Sequence, residues 1–137
     1  MYLLGTNVIS ELRRIKPHEA VVAWLGTCQD AELNIAAPTI GEIQSGIERT
    51  RVTDAKKAVE IERWLAKVIA TFKIASSDTE VFQEWARLMH GQPREHIIDG
   101  LIAATANVHK YTVVTRNVRD FKRFKVATLN PFESRTR

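Results

Sequence analysis

Each short β-forming run in this sequence is followed by a stretch with helical periodicity, not by a second strand, and that alternation leaves few folds open. The runs are Met1–Leu4, Glu32–Ala36, Phe72–Ala75, Tyr111–Thr115 and Val126–Leu129. A helix between successive strands carries the chain back to its starting edge, so the strands pair in parallel and the helices cover both faces. Tyr111–Thr115 is an uninterrupted set of β-formers, as expected of a strand buried on both sides. The expected fold is therefore α/β, three layers deep, formed as one domain over residues 1–137.

The intervening segments carry recognisable boundaries. Thr6 is placed to cap a helix reaching about Arg14, and Pro17 to open a second helix that Gly26 ends. Thr39 with Glu42 three residues later has capping-box spacing. Ala58, Ile61, Leu65, Val68 and Phe72 recur at helical spacing, and Asp78 caps a helix with Val81, Phe82, Trp85 and Leu88 directed inward. Small Ala103, Ala104 and Ala106 let a helix from His96 to His109 lie close to the sheet. A last short helix spans Val118 to Phe124.

A chain of 137 residues can bury a core without staples, and 45% hydrophobic with 26% charged residues is ordinary globular composition. The single cysteine, Cys28, excludes an internal disulfide and fits a reducing compartment. No apolar run reaches membrane-spanning length, and the N-terminus reads as a first strand rather than a signal peptide. A cytoplasmic location is expected. The net charge of +4 admits an anionic partner. Five basic residues, Arg116, Arg119, Lys122, Arg123 and Lys125, cluster around a single acid, Asp120, and Arg13, Arg14 and Lys16 form a second group.

In parallel α/β sheets ligands bind beyond the carboxyl ends of the strands, where the strand order reverses. Glu42, Asp99 and Asp120 each lie just after a strand or near a helix start, far apart in sequence but able to meet at that edge. Carboxylate oxygens suit the hard cations Mg²⁺ and Mn²⁺, which can activate water against a phosphodiester. Taken singly, Glu42 is better explained by helix capping, Asp99 by the helix dipole and Asp120 by a surface turn. Their joint setting is more informative than any one of them.

That setting resembles the PIN-domain nucleases, in particular the VapC- and FitB-like toxins of bacterial toxin–antitoxin pairs. The matching blocks are YLLGTNVISELRR, PTIGEIQSGI, DGLIAATA and VVTRNVRDF, with TLNPF at the close, in order across nearly the whole chain. The resemblance implies a five-stranded sheet of order 3-2-1-4-5 and a Mg²⁺- or Mn²⁺-dependent ribonuclease. It assigns Glu42, Asp99 and Asp120 to the family's acidic site, with Thr6, Thr115 and Asn117 as polar neighbours. The implied partners are an RNA substrate, a VapB- or FitA-like antitoxin, promoter DNA reached through that antitoxin, and a second copy of the chain. One position departs from the pattern. Where the family has an aspartate before Thr-Asn, normally a principal metal ligand, this chain has Gly5-Thr6-Asn7. The expectation is a nuclease inactivated at that position, or else a PIN domain that only binds partners.

Other features favour packing over chemistry. Trp24, Trp64 and Trp85 sit in helical apolar patterns, with Trp64 best placed to anchor an interface. The four histidines show no paired metal spacing, and Cys28 has no nucleophile's neighbours. A haloacid-dehalogenase-type phosphatase would need aspartates where Gly5 and Asn7 stand. A receiver domain would need a phosphoacceptor aspartate and a late lysine in places where this chain has neither.

Overall fold

The protein is described by a computed structural model covering residues 1–133. Five parallel strands form one sheet: β1 (Tyr2–Leu4), β2 (Leu33–Ala36), β3 (Lys73–Ala75), β4 (Thr112–Val114) and β5 (Thr128–Leu129). Their order is β3-β2-β1-β4-β5, as expected from the resemblance. Tyr2 faces both Leu33 and Thr112, so β1 is the central strand. The order reverses on either side of it, which places the crevice at its end.

The sheet has two buried faces, and period-two alternation assigns neighbouring residues to opposite ones. Leu4, Ile35 and Val114 join Val8, Ile9, Val21, Ile43, Ile47, Leu65 and Val68. These come from α1 (Thr6–Glu11), α2 (Glu19–Gly26), α3 (Ala37–Thr53) and α4 (Ala55–Thr71). Leu3, Ala36 and Val113 join Ile102, Ala103, Ala106, Phe121 and Phe124 on the other face. The helices there are α5 (Thr79–Met89), α6 (Ile97–His109) and α7 (Val118–Phe121).

Several boundaries differ from the sequence reading, each for a local reason. Helix α3 begins at Ala37 directly after β2, with Ala36 in the cap position and Pro38 in the first turn. Thr39 therefore lies inside the helix, wholly buried, and Glu42 is not its capping partner. Helix α1 is capped by Gly5, without a side-chain bond, and ends at Glu11. Thr6 is thus its first residue and its hydroxyl is free for another role. Helix α2 begins at Glu19, after Pro17, because His18 Nδ1 accepts the Ala20 N–H and so caps it. Phe82 points outward at 46% exposure, while Val81 on the same helix is fully buried. Asp78 caps α5 as expected, accepting from Val81 N–H at 3.1 Å.

Helices α5 and α6 touch through Gly100, which follows Asp99. A Cβ built on Gly100 would lie 2.5 Å from Met89 Sδ and 3.0 Å from Met89 Cγ. Gly100→Val should therefore destabilise the fold by about 1–3 kcal/mol in urea unfolding. Combined with Met89→Ala, the double variant should lose clearly less than the sum of the two single losses. Additive losses would show that this contact does not set the approach of α6.

Candidate active site

Glycine 5 ends β1 at the crevice. Its N–H donates to Val114 O at 2.8 Å, and its own carbonyl accepts from Val8 and Ile9 N–H at 3.1 Å. It is therefore both the last rung of the β1–β4 ladder and the start of α1. Its φ of −76° and ψ of 163° are extended values that any residue adopts. The backbone there does not require glycine. A Cβ at position 5 would sit 3.0 Å from Val114 O, 3.5 Å from Thr115 Cβ and 3.6 Å from Asn7 Oδ1. A side chain fits if the Val114 carbonyl yields by a few tenths of an ångström.

The neighbours of Gly5 are polar and bonded to one another. Thr6 Oγ1 donates to Glu42 Oε1 at 3.2 Å, linking the start of α1 to α3. Asn7 Nδ2 lies 3.4 Å from Thr115 Oγ1, and Asn7 Oδ1 accepts Arg116 N–H at 3.3 Å. The buried Thr115 hydroxyl also accepts Asn117 N–H at 3.0 Å. Asn7 thus clasps α1 to the exit of β4, a role the sequence reading did not assign to it. Its only sequence signal was its place in Gly5-Thr6-Asn7. The Asn117 side chain makes no hydrogen bond among the described residues, so only its backbone takes part.

Of the three acids, Asp99 lies within electrostatic reach of both others, Glu42 and Asp120. Burial raises the pKa of Glu42 above the usual carboxylate value; the Thr6 hydrogen bond opposes the rise and nearby Asp99 adds to it. Glu42 is exposed as a residue, so this burial is that of its carboxyl among neighbours and not of the whole side chain. Asp99, in the first turn of α6, is also raised by burial and then by Asp120, with His96 and Arg123 acting in the opposite direction. Asp99 therefore senses both other acids. His96, the residue before α6, is a neighbour to which the sequence reading gave no role at the site. An open groove of about 470 Å³ runs beside Glu42 between α3 and α6, floored by Ile98 and Leu101 and edged by Ser45 and Arg49.

Oxygen donors of this kind match Mg²⁺ or Mn²⁺ in type, but the number of donors does not match. Among the described residues no three His, Cys, Asp or Glu side chains are grouped closely enough to hold a metal ion. Gly5 adds no side-chain oxygen. As it stands, the chain has acids that crowd and repel one another but no complete cation site.

Comparison with known proteins agrees with the fold. The PIN domain family matches residues 2–127. The chain is 36% identical to the toxin FitB of Neisseria gonorrhoeae, aligned over 96% of this chain and 99% of that one. It is 30% identical to the VapC ribonuclease Y4jK of Sinorhizobium fredii, over 97% and 99% of the two chains. A solved structure of FitAB bound to an IR36 DNA fragment superposes with a TM-score of 0.83 at 32% identity, covering 99% of each chain. The chain therefore belongs to the PIN domain family, as a relative of the FitB and VapC toxins.

Proposed function

We propose that this protein is a ribonuclease toxin of the FitB and VapC type whose active site lacks one carboxylate, at Gly5, and which as written binds its partners without cleaving RNA. The observation that carries this reading is the state of position 5. Extended backbone, space for a Cβ once the Val114 carbonyl gives by a few tenths of an ångström, and a polar clasp surround a residue with nothing to offer a cation. Glu42, Asp99 and Asp120 are the acids assigned to the site, and Thr6, Thr115 and Asn117 line it. Thr6 orients Glu42 by its hydrogen bond, and Thr115 fixes the backbone through which Asn117 and Asp120 follow.

The partners follow from the relatives. The solved FitAB assembly pairs a toxin of this kind with a second protein on DNA. For this chain we take the partner to be a small antitoxin, FitA- or VapB-like, that contacts promoter DNA itself and reaches the acid edge. An arginine from it would suit that edge, since its planar fork pairs with carboxylates. The toxin is taken to be a homodimer acting in the cytoplasm. Among the described residues no helix is long and apolar enough to cross a membrane.

The direct test is Gly5→Asp. The restored carboxylate should bring cleavage of single-stranded RNA that depends on Mg²⁺ or Mn²⁺ and is abolished by EDTA. Growth should arrest when the variant is expressed without antitoxin, and not with the chain as written. Adding Asp99→Asn should remove both effects. A folded Gly5→Asp protein that cleaves no RNA with either ion would instead favour a domain that only binds.

The crowded acids give a second test. Raised carboxylate pKa values mean that the folded chain holds protons more tightly than the unfolded one at Glu42 and Asp99. Their effect on stability is least harmful below the unfolded carboxylate values and grows as pH rises through the folded ones. Asp99→Asn should therefore raise the melting temperature at pH 7, and the gain should shrink towards pH 4. An equal gain at both pH values would mean that the burial and crowding of the charged carboxylate are not the cause.

A further inference from the structure

The basic cluster after β4 is not one uniform surface, because the structure gives its members different surroundings. Arg123 is turned back toward the acids: its Nε donates to Asp120 O at 3.3 Å and its charge acts on Asp99. Arg116 takes another course. Its guanidinium carbon lies 4.1 Å over the centre of the Phe132 ring. Among the described residues it forms no ion pair, although Arg14, Arg51 and Arg87 each lie on a carboxylate.

The platform beneath Arg116 is fixed from several sides. Phe132 is buried at 9% exposure within the core cluster of α1–α4. Its N–H donates to Asn130 Oδ1 at 2.9 Å, and the His18 ring meets it edge-on at 5.2 Å. His18 is in turn held by its N–H, which donates to the buried carboxylate of Glu11 at 2.8 Å. The backbone of Arg116 is held as well, by Asn7 Oδ1, two residues beyond Gly5. The backbone of Arg116 is therefore placed by Asn7 at the crevice edge, and its guanidinium by the Phe132 ring.

We infer that Arg116, laid flat on Phe132, is a grip for an RNA backbone phosphate next to the acid edge, and so a substrate-positioning residue. Stacking leaves the guanidinium edges, which carry the N–H donors, turned outward and free. A planar fork that is already oriented loses little freedom on taking two phosphate oxygens. The acid edge repels a polyanion, so a cation at its rim supplies attraction without neutralising the acids themselves. The phosphate is taken to be one flanking the bond to be cut, because Arg116 directly follows Thr115 and its N–H is held by Asn7, two residues beyond Gly5. This inference rests on the nuclease reading above and adds a substrate contact to it.

The test uses the full chain as written, with a short fluorescein-labelled single-stranded RNA, in EDTA, by fluorescence anisotropy over a range of salt. Arg116→Ala should weaken binding roughly five- to tenfold and lower the slope of log Kd against log salt by about 0.7, the value of one single-strand phosphate contact. Arg116→Lys should keep the slope but bind less well than the parent, since it keeps the charge and loses the fork. Phe132→Leu should behave like Arg116→Lys, and Lys67→Ala on α4 should change nothing. Unchanged affinity and slope in Arg116→Ala would overturn the grip. If the same variant then weakened binding of the antitoxin encoded beside the chain, the stack would be a protein-docking point. In the Gly5→Asp background, Arg116→Ala should raise KM with kcat little changed. Cleavage with an unaltered KM would overturn the grip while leaving the nuclease reading intact. No RNA binding by the parent and no cleavage by Gly5→Asp would overturn both.

Discussion

A parallel sheet brings the carboxyl ends of all its strands to one edge, and here the β1–β4 ladder is closed at that edge by the bond from Gly5 N–H to Val114 O at 2.8 Å. Everything assigned to the site depends on that rung. It fixes where β1 stops and α1 starts, so Thr6 can reach Glu42 and Asn7 can reach Thr115. It also brings the end of β4, with Arg116 and Asn117, beside the end of β1. Strands β1 and β4 are separated by most of the chain, and only their pairing makes these residues neighbours. The bond uses backbone atoms alone, which is how a glycine can occupy the position without loss of the surrounding geometry.

The electrostatics of the edge have the sign expected of a site built around a cation. Burial and mutual repulsion both hold Glu42 and Asp99 above the ordinary carboxylate range. A fold gains nothing in stability from such crowding, and stability alone would favour dispersing the acids or pairing them with arginines. Three arginines elsewhere do pair with nearby acids, Arg51 with both Glu48 and Glu62. The acids at the edge have Thr6, His96 and Arg123 as partial relief and no direct ion pair among the described residues. That contrast is the physical reason for proposing that these acids serve a cation.

Much of this was legible in the sequence because period and order carry long-range information in an α/β chain. The strand runs and their alternation with helices were enough to place the strands in a parallel sheet, and the quoted motifs supplied its order, β3-β2-β1-β4-β5. Local chemistry was less legible. The Thr39–Glu42 spacing suggested a capping box, but Pro38 in the first turn and the direct passage from β2 moved the helix start back to Ala37. Thr6 was expected to cap α1, yet the extended Gly5 before it takes that position and releases the hydroxyl to Glu42. Phe82 fitted an inward stripe but turns out against Trp85, with ring centres 6.0 Å apart. The Arg116–Phe132 stack left no sequence signal, since its partners follow the carboxyl ends of two different strands, β4 and β5, and meet only once the sheet has formed.

The central claim is that position 5 is a vacant ligand place in an otherwise preserved site. Mn²⁺ binding followed by electron paramagnetic resonance tests it without reference to any RNA. The account predicts no specific Mn²⁺ uptake by the chain as written and one bound ion per chain for Gly5→Asp, lost again with Asp99→Asn. Tight Mn²⁺ binding by the chain as written, or none by a folded Gly5→Asp protein, would contradict it.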